Sequence, residues 1–219
     1  DETPGSSVIS FRQAKELAKE HGTPTLICDL KRIEENYDKL KGMIPGLELY
    51  YAVKANPLPE ILQTLVKKGS NFDVASVNEI KMCLDAGAKP ERLLYANPIK
   101  SPEAIKFAYD NNLRSFTYDS AAEVEKMAKY APGSDVILRI AVKDLGSYCK
   151  FSTKFGAREA TALKLLRKAK KSGLHPIGLS FHVGSQCTRI ENYSAAIEMC
   201  SRIIDMAKRK GIELSVLDI

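Results

Sequence analysis

Short apolar runs alternate with amphipathic stretches along almost the whole chain, and this alternation restricts the fold more than any other feature. The apolar runs are rich in β-branched and aromatic residues, which predicts strands over 23–30, 49–54, 72–76, 93–97, 115–119, 135–142, 177–183 and 214–219. Helical periodicity predicts helices over 11–20, 31–41, 59–68, 77–86, 102–110, 121–130, 157–172 and 190–210. Short turns between these elements favour parallel strands joined by helical crossovers. The repeat therefore predicts an α/β fold, a (β/α)8 barrel of the TIM type, whose chemistry collects at the carboxyl ends of the strands.

Composition argues against several other classes of protein. The net charge of +6 comes from 33 Lys and Arg against 27 Asp and Glu spread over amphipathic segments, whereas a nucleic-acid surface needs a denser basic stripe with aromatic residues. No GxGxxG turn follows an early strand, which argues against a dinucleotide-binding sheet. No apolar run approaches the roughly 20 residues that cross a bilayer. We therefore expect neither a nucleic-acid nor a membrane partner.

Cysteine usage and the amino terminus indicate the compartment. The five cysteines are scattered and have no CxxC spacing: Cys28, Cys83, Cys149, Cys187 and Cys200. Free thiols in a reducing compartment are the default for such a pattern, and a metal site is not expected. Residues 1–5 do not resemble a signal peptide. We expect a cytoplasmic protein.

Lys54 stands at the point where an apolar, strand-like run stops. Pro57 and Pro59 prevent simple continuation of that strand. Because side chains alternate across a strand, Lys54 is predicted on the same face as Tyr50 and the small Ala52. A lysine in this place is a reasonable amine nucleophile, since partial desolvation exposes its lone pair. The alternative is a strand-end lysine that extends into water.

Three further ionisable residues lie on the polar faces of their predicted strands. Asp73, Arg139 and His182 each stand opposite an apolar face that is expected to pack against helices, so with Lys54 they should converge at one end of the barrel. Gly178 and Gly184, on the face of His182, are expected to leave space that a packed core would have filled. A structural ion network between Asp73 and Arg139 is the alternative.

This combination of groups suits an aldehyde cofactor. Pyridoxal 5′-phosphate (PLP) bonds to a lysine amine, and its ring needs a stacking partner and counter-charges. The turn over 183–186 offers backbone N–H groups and the hydroxyl of Ser185 to a phosphate, although an ordinary turn has the same composition. The residues therefore predict PLP in a water-excluded barrel mouth.

Seven motifs follow one another in an order that resembles the fold-type III PLP-dependent enzymes, specifically the ornithine/arginine/lysine decarboxylase group. They are YAVKAN at 51–56, FDVAS with the following EI at 72–80, YANPIK at 95–100, TYDS at 117–120, LRI at 138–140, KFG at 154–156 and SFHVGS at 180–185. The resemblance extends from about residue 23 to residue 219. The YANP and SFHVGS forms favour basic amino-acid decarboxylases over diaminopimelate decarboxylases and alanine racemases.

The resemblance implies roles for individual residues. Lys54 would hold the cofactor covalently and His182 would stack on its ring, which makes these two the expected catalytic residues. The expected cofactor-binding residues are Lys54, Asp73, Glu79, Arg139, His182 and Ser185, with Ser185 on the phosphate and the carboxylates and Arg139 in a polar shell. Lys154 matches a position near the subunit interface of the family, or is a solvated loop lysine. The resemblance also implies a homodimer for the full-length form.

The chain departs from the family pattern at its end. The family continues after the strand at 214–219 with a glycine-rich phosphate loop, an acidic residue for the pyridinium nitrogen and a C-terminal β-domain. The pattern also assigns the strand predicted at 23–30 to that β-domain. We therefore expect residues 1–30 to be an N-terminal segment with a β-domain strand. Residues 31–219 should form a PLP-binding barrel truncated before its last strand and inactive alone.

Together, the residues and the resemblance predict PLP-dependent decarboxylation of a basic amino acid. Ornithine, converted to putrescine in polyamine biosynthesis, is the first expectation, and lysine or arginine are the other substrates. A non-catalytic relative of the antizyme-inhibitor type is an alternative function. A PLP-binding racemase, a diaminopimelate decarboxylase relative or a PLP-homeostasis protein is another.

Overall fold

The computed structural model describes residues 9–148 and 154–219, and the chain divides into two compact units, 1–47 and 48–219. The described part of the first unit contains two helices. α1 (Phe11–His21) begins at a capping box between Ser10 and Gln13, and α2 (Leu30–Met43) begins where the Asp29 carboxylate accepts a backbone N–H.

The strand predicted over 23–30 is absent from the structure. The residues between α1 and α2 have no regular structure. A strand needs a neighbour to pair its backbone groups, and the described residues provide no such neighbour for this segment. Its assignment to a further β-domain remains a prediction.

The second unit is built on a parallel sheet of seven strands that lie side by side in chain order. The strands are β1 (Tyr50–Ala52), β2 (Asn71–Val74), β3 (Leu93–Tyr95), β4 (Ser115–Tyr118), β5 (Asp135–Ile140), β6 (His175–Phe181) and β7 (Val216–Asp218). The helices that connect them are α3 (Pro59–Lys67), α4 (Val77–Asp85), α5 (Pro102–Asp110), α6 (Ala121–Tyr130), α7 (Glu159–Lys171) and α8 (Ile190–Lys208). The seven predicted barrel strands are thus confirmed, whereas a closed eight-stranded barrel is not formed by the described residues.

Serine residues begin three of the connecting helices. The hydroxyl groups of Ser76, Ser101 and Ser120 accept the backbone N–H three residues later, at the first turns of α4, α5 and α6. These caps satisfy N–H groups that a helix start leaves unpaired. Each helix can therefore begin within a few residues of the carboxyl end of a strand, which keeps the connections at that edge short.

Alternate residues of the strands form the core. Phe72, Phe116, Leu138 and Leu179 are fully buried and belong to the apolar faces predicted from the alternation. Burial of each such side chain contributes about 1.5–3 kcal/mol to folding. The opposite faces carry the small and polar residues, so the sheet has one packed face and one face that can border a cavity. Within the described residues, no helix has both the length and the apolarity needed to span a membrane.

All seven strands end one or two residues earlier than the sequence predicts, and β1 and β5 are examples. β1 stops at Ala52, and Val53–Ala55 forms a 3-10 turn, so Lys54 lies just beyond the strand and not on it. β5 stops at Ile140 instead of residue 142. β1 is an edge strand whose registered pairing with β2 ends at Ala52 and Asp73. Without further ladder bonds the backbone is free to turn.

Gly178 does not leave the open space that the sequence predicts for it. This residue of β6 pairs with Val216 of β7, and a Cβ at position 178 would stand 2.4 Å from the Val216 carbonyl oxygen. The room left by the missing side chain is filled by the neighbouring strand and not by a cavity. Gly178 therefore serves the close approach of β6 and β7.

Candidate functional site

A cavity of about 480 Å³ lies at the carboxyl ends of the strands in the second unit. All seven strands contribute to its wall, through Tyr50, Asp73, Leu94, Thr117, Arg139, Ser180 and Asp218 in chain order. Since both edge strands border the same space, the sheet curves around it. The volume falls in the range of small-molecule sites, about 300–1,000 Å³.

The structure brings four of the predicted residues into this one cavity. Lys54, Asp73, Arg139 and His182 all line it. They arrive from different places along the chain because each follows, or lies near the end of, a strand of the same sheet. Lys54 and His182 are exposed to solvent while Asp73 and Arg139 are half-buried. The expectation of a water-excluded mouth is therefore wrong for the described residues, because the wall they form leaves the amine and the imidazole open to water.

Asp73 and Arg139 carry opposite charges within the half-buried wall. Burial raises the pKa of Asp73; Glu79 adds to this effect, while Lys54 and Arg139 oppose it. Burial lowers the pKa of the Arg139 guanidinium, against the attraction of Asp119, Asp218 and Asp73. Burial thus disfavours each charged form more than the neighbouring charges restore it. The charged forms of Asp73 and Arg139 could therefore be stabilised further by a polar ligand in the cavity.

His182 presents a neutral imidazole to the cavity. The backbone N–H of Gly184 donates to its Nδ1 at 3.0 Å, so the proton of the neutral ring resides on Nε2. Burial lowers the pKa of His182, and the positive charges of Arg139 and Lys54 lower it further. A neutral, flat ring is the form that can stack on another heteroaromatic ring without charge repulsion.

Glu79 and Ser185 do not line the cavity. The Glu79 carboxylate accepts the backbone N–H of Ala75 at 2.7 Å, and Ala75 does border the cavity, so Glu79 supports the wall from behind. The Ser185 carbonyl accepts the backbone N–H of Tyr148 at 2.9 Å, which joins two loops beyond the strand ends. Lys154 is exposed. The expected cofactor roles of Glu79 and Ser185 remain predictions.

Two further cavity residues were not singled out from the sequence. Asp218 lies on the inward face of β7, and the same alternation that identified Asp73 could have found it. Burial, helped by Asp73 and opposed by Arg139, raises its pKa to about 6. Phe155 follows β5 in an irregular segment, and its ring centroid is 5.2 Å from the Arg139 guanidinium carbon. Strand periodicity gives no signal for a residue in such a segment.

A comparison with protein families decides what this cavity belongs to. Residues 30–219 match the profile described as the pyridoxal-binding domain of pyridoxal-dependent decarboxylases. The chain belongs to this family. The resemblance seen in the seven motifs is thereby confirmed, and the cofactor of the family, PLP, is the one the cavity residues predict.

Relatives with named activities agree with the family. A lysine/ornithine decarboxylase from Selenomonas ruminantium is 43% identical over 96% of this chain and 54% of its own length. Rat ornithine decarboxylase is 37% identical over 88% of this chain and 42% of its own length. Antizyme inhibitor 2 from Xenopus laevis is 36% identical over 88% of this chain and 42% of its own length. The chain thus spans about half the length of the curated relatives it matches.

Solved structures show the same fold. A mutant of SrLDC, a lysine decarboxylase from Selenomonas ruminantium, was solved in complex with PLP and matches with a TM-score of 0.93 at 43% identity, over 96% of this chain and 55% of that one. The arginine decarboxylase of Paramecium bursaria Chlorella virus matches with a TM-score of 0.91 at 32% identity, over 95% and 57% of the two chains.

The side chains present fit PLP. An aldehyde needs an amine, and Lys54 supplies one that solvent can reach. A heteroaromatic ring needs a flat neighbour, which the neutral His182 supplies. The ring also needs charged groups around it, and Arg139, Asp73 and Asp218 border the same space. The aldehyde and the ring of the cofactor thus each have matching groups in the cavity.

Proposed function

We propose that this chain is the PLP-binding part of a decarboxylase for basic amino acids, with ornithine as the first substrate and lysine as the second. The observation that carries the proposal is the convergence of Lys54, His182, Asp73 and Arg139 on one cavity of about 480 Å³ in a domain of this family. Since the chain spans about half of its relatives' length, the activity is proposed for the full-length protein.

Ligands named in the related structures support the substrate class. SrLDC was solved with PLP and cadaverine, and a lysine/ornithine decarboxylase from Vibrio vulnificus with putrescine. The viral arginine decarboxylase was solved with agmatine. All three molecules are amines that remain when a basic amino acid loses its carboxylate. We propose the same reaction type here, and the homodimer that the family resemblance implies.

The cavity residues would divide the work of binding and orientation. When bound, PLP supplies an electron-withdrawing ring that accepts the electron pair left by departing carbon dioxide. Lys54, in the 3-10 turn that follows β1, provides the amine that holds it. His182 keeps a neutral ring surface against it, with its proton on Nε2. Arg139 and Asp73 set the local charge around the Lys54 amine.

Spectroscopy on the full-length protein tests the cofactor assignment. Wild-type protein mixed with PLP should develop the visible absorption band of lysine-bound cofactor, and Lys54→Ala should abolish it. Lys106→Ala is the matched control, because Lys106 is an exposed lysine on α5, outside the cavity. A band that persists in Lys54→Ala would remove Lys54 from its proposed role.

Product analysis tests the reaction. The full-length protein with PLP should release carbon dioxide and the matching diamine from ornithine, and more slowly from lysine. Comparison of kcat/KM for ornithine, lysine, arginine and meso-diaminopimelate would rank the substrates. Racemisation without release of carbon dioxide would replace the proposed decarboxylase with a racemase.

A regulatory relative is the second candidate, because antizyme inhibitor 2 is among the similar proteins. In that case the full-length protein would fold, give no visible band with PLP and release no carbon dioxide. The lysine amine and neutral imidazole in the cavity favour the enzyme. The absorption experiment separates the two candidates directly.

A further inference from the structure

The residues that immediately precede α7 are bonded to the sheet. The Ala157 N–H donates to the Arg139 carbonyl at 2.8 Å, and the Ala141 N–H donates to the Ala157 carbonyl at 2.9 Å. These bonds form a parallel bridge between Ile140 and Ala157. The residues just before Ala157 are therefore held beside the carboxyl end of β5, the strand that carries Arg139.

Gly156 fixes the turn into this bridge. Its backbone has a φ of +99°, and a Cβ at this position would lie 2.5 Å from the Ala141 backbone nitrogen. The Gly156 N–H also donates to the Asp119 carboxylate at 2.9 Å. A glycine conformation, a close backbone approach and a charged acceptor thus determine where the preceding residue, Phe155, can place its ring.

The Phe155 ring lies over Arg139. Its centroid is 5.2 Å from the guanidinium carbon, within the distance of a cation–π interaction, and the ring borders the cavity. An aromatic ring next to a guanidinium excludes water from that side and leaves the N–H edge free for carboxylates. The carboxylates that act on Arg139 are those of Asp119, Asp218 and Asp73.

We propose that Phe155 is a positioning residue for Arg139, held in place by Gly156 and Asp119, and that it keeps the guanidinium oriented toward the carboxylates of the cavity. Phe155 is half-buried and borders the cavity, so it is not part of the fully buried core with Phe72 and Phe116. The expected effect of Phe155 on cofactor binding rests on the proposed function. The expected effect of Phe155 on the orientation of Arg139 does not depend on the proposed function.

Three variants of the full-length protein test the proposal. Phe155→Leu removes the π face and keeps an apolar side chain of similar size, while Phe155→Tyr keeps the π face. Phe107→Leu is the matched control: Phe107 on α5 is also half-buried and lies 5.3 Å from a lysine ammonium, that of Lys81, outside the cavity. The Phe107→Leu variant loses the same kind of cation–π contact, but outside the cavity.

The first measurement is the rate at which phenylglyoxal modifies Arg139 in cofactor-free protein, followed by mass spectrometry of the peptide. Loss of a cation–π contact should raise the rate about threefold to tenfold in Phe155→Leu. Phe155→Tyr and Phe107→Leu should react as wild type. The rate at Arg114, which stacks on Tyr109 at 3.8 Å, is the internal reference for global unfolding. An unchanged Arg139 rate in Phe155→Leu overturns the proposal.

The second measurement is the PLP dissociation constant, followed by cofactor fluorescence. Phe155→Leu should bind PLP about threefold to tenfold more weakly, with recovery in Phe155→Tyr. If wild type binds no PLP, the proposed function fails, and the Arg139 rates still decide the role of Phe155. If PLP binds equally to wild type and Phe155→Leu, Phe155 has no part in cofactor binding.

Discussion

Two groups of ionisable side chains in the second unit are built differently. In the first group, the Lys100 ammonium is fully buried and lies 3.2 Å from the Glu123 carboxylate. It also donates to the carbonyls of Asn97 at 2.9 Å and Thr117 at 2.6 Å, at the ends of β3 and β4. Lys126 contacts the same carboxylate. Protein atoms thus compensate the Lys100 charge, since two carbonyls accept its hydrogen bonds and the Glu123 carboxylate pairs with it. We call this the closed group.

The second group is the one in the cavity. Lys54 and His182 are exposed, and Asp73 and Arg139 are half-buried. The charges of Lys54 and Arg139 act on the pKa of Asp73 and on that of His182. The comparison shows that the same residue types can either stabilise the contact between two strands or remain available to bind a ligand. The distinction depends on whether protein atoms already satisfy them.

Breaking the closed group should give the largest effect on stability. Lys100→Met leaves the Glu123 carboxylate buried with the Lys126 ammonium and the backbone N–H of residue 100 as partners. Loss of the buried Lys100 charge should lower the free energy of unfolding by about 3 kcal/mol. Urea denaturation measures it. The double variant Lys100→Met, Glu123→Leu should recover most of the loss. A Lys100→Met protein as stable as wild type would show that the closed group does not fasten the sheet.

Removing a charge from the cavity should raise the free energy of unfolding. The pKa of Asp218 is raised to about 6 from 3.8, so the folded state binds more protons than the unfolded state between these values, and stability falls as the pH rises through that window. Asp218→Asn should therefore be about 3 kcal/mol more stable than wild type above pH 6.

Denaturation of cofactor-free protein at pH 4 and pH 7.5 tests this. The gain from Asp218→Asn should vanish at the lower pH, where the carboxyl group of wild type is protonated in most molecules. Asp110→Asn is the control, because Asp110 is exposed on α5. A gain of equal size at both pH values would mean that charge is not its cause.

His182 should show a smaller effect of pH. Its lowered pKa means that the unfolded state takes up a proton first, so stability should fall as the pH drops below about 6.5. Because the imidazole is exposed, solvent screening should limit the loss to less than about 1 kcal/mol. An NMR titration of the ring should have its midpoint below the usual value of about 6.5; a midpoint above it would mean that Arg139 and Lys54 do not act on the ring.

The smallest effect is expected at an exposed ion pair. Lys106 lies 2.8 Å from Asp110 one helical turn later on α5, and both are well exposed. Lys106→Met, the same substitution as Lys100→Met, should change the free energy of unfolding by no more than about 0.5 kcal/mol. The ratio of the two losses measures how much burial and carbonyl acceptors add to a lysine–carboxylate pair. Comparable losses would remove the distinction between them.

The sequence predicts the strand order and the inward faces well, because side chains alternate strictly along a strand. This is why Asp73, Arg139 and His182 could be placed on one side of the sheet without coordinates. Beyond the last paired residue of a strand, the alternation of side chains no longer predicts their direction. The turn at Lys54 and the irregular residues 23–29 depend on which neighbour a backbone segment finds, and local sequence does not encode that.

Other parts of the site depend on contacts between distant segments. Phe155 reaches the cavity because Gly156 bonds to Asp119, which lies 37 positions earlier in the chain. The room expected at Gly178 is occupied by Val216, from a strand that follows one helix later. Patterns within one element cannot reveal such approaches. Asp218 is different, since the alternation of β7 already contained the signal.

Gly178 has a consequence for the width of the cavity. Its hydrogen atom allows β7 to lie against β6, and Asp218 stands two residues after Val216, the partner of Gly178. A methyl group there would act as a wedge 2.4 Å from a carbonyl oxygen. It would push the last strand outward and carry the Asp218 carboxylate away from Arg139. The position of a charge in the cavity is thus decided by the absence of a carbon atom on the strand beside it.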